Sequence, residues 1–376
     1  MSYPLRPSRS PSPQPVPGPV SARRPGRMQP VPGTVAYHRM GRAQRNHRWW
    51  RPLLALVTAA GLYLVFILLI TFWGVAVPLV LAGVARSVVT GSTVPDPDAG
   101  QNPFGPGAPG SAGTDILPGW LTADPTFTDM GNPVTFVAAI VSIIPMLPAV
   151  WLATWLVWRR PPGTLSSVFG RLRWAWLGRA IGWAALIIVP VLVLQLGFDA
   201  QFAPEGPGAT GGGTDGDTAS AGGAGLGRAL LMIVLTLLLA PVQSATEEYV
   251  FRGFLGQLVG SWLKHPAWAI LLPLPLFVFG HLYDWTGLAD VAVFAVVAGW
   301  LCYRTGGLEA AIAVHIVNNV SVFLLGAVGL ADLNAAGQSL PGLLVSAGMT
   351  VGTGALLAWR APKLPAPAQP NRVLPT

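Results

Sequence analysis

The stretch "ALLMIVLTLLLAPVQSATEEYVFRGF" runs from Ala229 to Phe254 and joins a membrane-length apolar run to two glutamates and an arginine. About 20 apolar residues cross a bilayer as a helix. A charge at that depth is costly and marks a function or a partner. The chain is therefore expected to be a membrane protein whose chemistry sits near Glu247, Glu248 and Arg252.

Composition agrees. Of 376 residues, 52% are hydrophobic and 10% charged, with mean hydropathy +0.54. A soluble domain carries roughly a quarter charged residues. The net charge of +8 does not imply nucleic acid, because ten of the 23 basic residues are arginines within positions 1–52. That block abuts the first apolar run, as a cytoplasmic flank does. The single cysteine, Cys302, excludes an intrachain disulfide.

Apolar runs predict an all-α polytopic fold of about eight transmembrane helices. They lie near 53–80, 134–158, 177–197, 229–259, 267–283, 288–303, 308–327 and 340–359. Residues 1–38 hold ten prolines and few bulky apolar side chains, which predicts disorder. Tyr37–Arg51, with Trp49 and Trp50, suits the lipid headgroup layer. The expected units are a Pro/Arg-rich tail (1–52), three accessory spans (53–197), a glycine-rich outside linker (198–228), a helical core (229–327), and a last span with its tail (328–376). Arg and Lys concentrate in alternate connections and Asp in the others. This predicts both termini in the cytoplasm.

Polar residues in the core can be placed by helix geometry. Glu248 and Arg252 are four apart and pair on one face. Glu247 points about 100° away and lacks a local cation, which suits a general base. Glu247 and His281 each lie 17 residues from Lys264, so an antiparallel hairpin brings them to one depth. His315 and Asn319 share a face and offer two donors to one point, the geometry of an oxyanion hole. Asn318 faces elsewhere and is expected to bridge helices.

These residues resemble a known pattern. "EEYVFR" (Glu247–Arg252), "FVFGH" (Phe277–His281) and "HIVNN" (His315–Asn319) stand in the order and spacing of the CAAX prenyl protease and bacteriocin-processing family of intramembrane proteases. The resemblance covers 229–327. It implies an endopeptidase in which Glu247 and His281 activate water. His315 and Asn319 would stabilise the oxyanion, with Glu248, Arg252 and Phe277 in support. No metal is expected to be obligatory; zinc, if bound, would take Glu247, His281 and His315. The zinc signature H-E-x-x-H is absent.

The expected substrate is a membrane-associated or lipidated peptide or protein. The Ala, Gly, Pro and Arg bias points to a bacterial cytoplasmic membrane, where prenylated proteins are not expected. The competing readings are a transporter and a catalytically silent scaffold. A transporter would spread its acids along several helices, whereas here they gather at one level.

Overall fold

A computed structural model describes residues 35–43, 47–77, 128–202 and 222–364. Most of the proline-rich tail, most of the 84–132 connection and of the glycine-rich linker, and the last twelve residues lie outside the described residues.

The structure is helical. α1 (Arg51–Thr71) continues into a π-helical turn, Phe72–Ala76. α2 (Pro133–Ile143) and α3 (Met146–Leu156) form one span bent at Pro145. α4 (Trp174–Phe202) follows. α5 (Gly222–Glu248), a π turn (Tyr249–Leu255) and α6 (Gly256–Trp262) make one long rod. α7 (Pro266–Leu271) and α8 (Leu274–Val278) are short. α9 (Trp285–Thr305), α10 (Glu309–Ala327) and α11 (Leu340–Arg360) complete the bundle.

Seven of these helical stretches are long and apolar enough to cross a membrane, and the chain is an integral membrane protein. The eighth expected span differs. Pro266–Val278 covers roughly 20 Å at 1.5 Å per residue, short of a ~30 Å hydrocarbon core. Pro273 and Pro275 each remove a backbone donor and divide it. The chain then turns before Trp285, so His281 stands beyond the helix rather than on it.

The rod is the opposite case. Gly225–Trp262 spans 38 residues, or about 57 Å, well beyond a ~30 Å hydrocarbon core. Its far end is capped by the segment before α1. Tyr37–Arg39 forms a 3₁₀ turn in which Tyr37 and His38 are buried. The Tyr37 hydroxyl donates to the Leu165 carbonyl. His38 Nε2 donates to Lys264 O at 2.9 Å, and Arg39 Nη1 donates to Gly260 O at 2.6 Å. Arg42 Nη1 reaches Ser261 O at 3.2 Å. The two arginines bring positive charge to carbonyls at a helix C-terminus, where it is favoured, and His38 adds a neutral donor. Gly260 permits the approach: a Cβ there would lie 1.8 Å from His38 O. Within the stretch expected to be disordered (1–38), Tyr37 and His38 are instead docked, because they find backbone partners; residues 1–34 lie outside the described residues.

Loops on the same end interlock. Ser167 and Gly307 form an isolated antiparallel bridge. Arg173 donates from Nε and Nη2 to Glu309 at 2.9 and 2.7 Å, tying the start of α4 to the start of α10. Glu309 is fully buried, whereas Arg173 keeps part of its side chain exposed. Gly306 ends α9 at φ +70, the left-handed conformation that favours glycine. The core fills with small residues of α10, Ala310, Ala311 and Ala313, against which α4 and α5 pack closely.

Candidate active site

The site forms where the rod changes from α to π winding. Tyr249–Leu255 is a π turn, and such turns recur at functional positions. Glu247 and Glu248 are the last two residues before it, and α10 packs along the same face.

His315 of α10 lies between the two carboxylates. Its Nδ1–H donates to Glu248 Oε1 at 2.8 Å. Its Nε2 faces Glu247 Oε2 at 3.6 Å, too far for a direct hydrogen bond. Arg252 Nη1 donates to the same Glu248 oxygen at 3.1 Å. All four side chains are buried, Glu248 completely. Three buried polar atoms here lack a partner among the described residues: Glu247 Oε2, Glu248 Oε2 and Arg252 Nη2.

Aromatic rings wall this cluster. The Arg252 guanidinium lies 4.1 Å from the centre of the Phe277 ring and 5.3 Å from that of Phe294. Phe277 also lies against His281 at 5.0 Å and edge-on to His315 at 6.4 Å. It is the partition between the two imidazoles.

The structure pairs the residues differently from the sequence. The imidazole facing Glu247 is His315. His281 is half-buried, and its Nδ1–H donates to Phe277 O at 2.8 Å. Among the described residues no hydrogen bond or ion pair joins it to Glu247. The equal-depth argument needed a straight fifth span, and the prolines end that span before His281. Both site histidines nonetheless have Nδ1 fixed on an acceptor, which leaves Nε2 as the reactive nitrogen.

Asn319 lies one turn beyond His315, as spacing required. Its Nδ2 donates to Gln243 Oε1 at 3.2 Å, and Gln243 Nε2 donates to Glu247 Oε1 at 2.7 Å. Asn318 Nδ2 donates to Asn319 Oδ1 at 3.3 Å, so Asn318 holds its neighbour rather than a distant helix. Gln243 was not singled out from the sequence. The signal was its position one turn before Glu247 within an apolar run. Tyr283 was missed as well. Its ring is 5.7 Å from His281.

Among the described residues no group of three His, Cys, Asp or Glu side chains is placed to hold an ion.

Residues 227–321 match the family model described as type II CAAX prenyl endopeptidase Rce1-like. This stretch is therefore similar to the Rce1-like family. The match encloses every site residue from Gln243 to Asn319. The chain is also 25% identical over 182 residues to the uncharacterized protein YyaK of Bacillus subtilis (strain 168), across 46% of this chain and 55% of that protein. The chain thus spans about half the length of this curated relative. No solved structure matches it. The matched residues carry the buried carboxylates, imidazole and guanidinium just described; α1 to α4 and α11 lie outside the match.

Proposed function

We propose that the chain is an intramembrane endopeptidase that hydrolyses a peptide bond of a membrane-associated or lipidated substrate. The observation that carries this reading is the Glu247 carboxylate. One oxygen is held by Gln243 while Oε2, buried and unpartnered, faces His315 Nε2 across 3.6 Å. The gap is too narrow for a water between the two atoms, so the attacking water would lie beside it, on the open lone pair of Oε2.

Glu247 Oε2 takes a proton from water as the oxygen attacks the scissile carbonyl. His281, with Nδ1 tied to Phe277 O, reaches this water once substrate displaces the Phe277 ring that separates the two imidazoles. The developing oxyanion receives Nε2–H from His315 in its imidazolium form and an amide N–H from Asn319. Glu248 accepts from Nδ1–H and steadies that imidazolium, while Arg252 balances the Glu248 charge. The proton on Glu247 then passes to the leaving amine nitrogen, the C–N bond breaks, and a carboxylate and an amine leave.

Purified protein in proteoliposomes is expected to cleave apolar peptides presented in the bilayer, read by mass spectrometry of the fragments. The panel includes peptides ending in a prenylated cysteine motif and unlipidated ones. Glu247→Gln and His315→Asn should each abolish cleavage without loss of fold. Unchanged cleavage in folded Glu247→Gln would remove Glu247 from the mechanism.

A further inference from the structure

Gln243 connects the two halves of the site, and its chemistry fixes a direction. A carboxylate only accepts, so the group that meets Glu247 Oε1 at 2.7 Å is the Gln243 amide nitrogen. The Gln243 oxygen must then face the other way, where Asn319 Nδ2 donates to it at 3.2 Å. The Asn319 oxygen must in turn face Asn318 Nδ2, at 3.3 Å. Three amides whose orientation is ordinarily ambiguous are thereby set in one sense by a single charge. Ser244 Oγ adds a donor to Gln243 Oε1 at 3.3 Å. Gln243 is 7% exposed, so water does not compete for these bonds.

We propose that Gln243 is a positioning residue that acts through both Glu247 and Asn319. By occupying Oε1 it leaves Oε2 as the one basic oxygen of Glu247. By accepting one Asn319 N–H it aims the second at the oxyanion. Base and oxyanion donor are thus held in register by one side chain, a turn before the glutamates on the same rod. The inference rests on Glu247 being the base, as proposed above.

The test replaces Gln243 with methionine, which keeps the length and removes the amide. In folded Gln243→Met, kcat is expected to fall about tenfold or more while KM stays within about twofold, because geometry rather than binding is lost. In a double-mutant cycle with Asn319→Leu, the combined loss should be smaller than the product of the single losses. Wild-type kcat in Gln243→Met, a loss confined to KM, or multiplicative losses would each overturn the proposal. Gln243→Glu, nearly the same in shape, guards against a methionine variant that fails to fold. It sets an acceptor against Glu247 Oε1 and is expected to lose kcat in the same way. A structure of either variant decides the matter without any assay: the Glu247 carboxylate and Asn319 amide should move, and unchanged positions would overturn the proposal. If the wild-type protein cleaves nothing, the endopeptidase reading fails while this structural comparison still tests Gln243.

Discussion

Two adjacent glutamates occupy one buried site and have unlike surroundings. Glu248 accepts from Arg252 and from His315, so its charge balances the guanidinium while it orients the imidazole. Glu247 holds one bond from Gln243 and keeps a free oxygen. Removing a charge that balances a buried cation costs about 3–5 kcal/mol, because the partner is stranded. Glu248→Gln strands Arg252 between Phe277 and Phe294 and is expected to lose stability on that scale. Glu247→Gln replaces a carboxylate bound by one amide and should change stability by about 1 kcal/mol or less. Thermal unfolding in detergent compares them. Equal losses would mean that the two carboxylates share one structural role. The sequence showed this division through spacing alone, since Arg252 is four residues from Glu248. It did not show His315 between them. That contact depends on how α10 leans against the rod, a tertiary fact with no local signature.

At the scale of elements, the rod and the segment docked on it carry the consequences. The π turn has no compositional mark, so "EEYVFRGF" reads as plain α-helix until the winding is seen. The seven long spans were legible because bilayer thickness imposes their length. The eighth was not, because prolines announce a break without saying how soon the chain leaves the helix. The docked Tyr37–Arg42 segment was hidden by the proline-rich composition around it. Gly260→Ala forces a Cβ into His38 O and is expected to release this segment, read as greater mobility of a spin label at Ala36→Cys. Acid should do the same. Burial, aided by the charges of Arg39 and His265 and opposed by the bond to Lys264 O, lowers the His38 pKa below its ordinary value near 6.5. The undocked state therefore binds a proton more readily than the docked one. Docking is intact above about pH 6.5 and weakens as pH falls below it toward the lowered value. Label mobility independent of pH between 7 and 5 would remove His38 from the contact, those limits being roughly the range over which imidazole titrates.

Across the whole molecule, charge divides the bundle into two poles. Arg160, Arg173, Lys264, Arg304 and Arg360 lie at the ends of helices that meet where Tyr37 and the Ser167–Gly307 bridge sit. Asp129, Asp284 and Asp332 lie at the other ends, where Asn334 Nδ2 donates to Asp129 at 2.9 Å and Asp284 N donates to Ala336 O at 2.8 Å. Exposed tryptophans crowd the basic pole, among them Trp49, Trp155, Trp174, Trp268 and Trp359, at the depth where a headgroup layer holds amphipathic rings. Such an arrangement predicts the basic pole in the cytoplasm and the acidic pole outside. The candidate site then lies about 22 Å along the rod from Trp262, with much of that length projecting past the bilayer. A membrane-impermeant maleimide added to intact cells should label a cysteine placed at Ala335 and spare one placed at Ala36; the native Cys302 is buried. The reverse pattern would turn the molecule over, and a substrate would then have to reach Glu247 from the opposite side of the membrane.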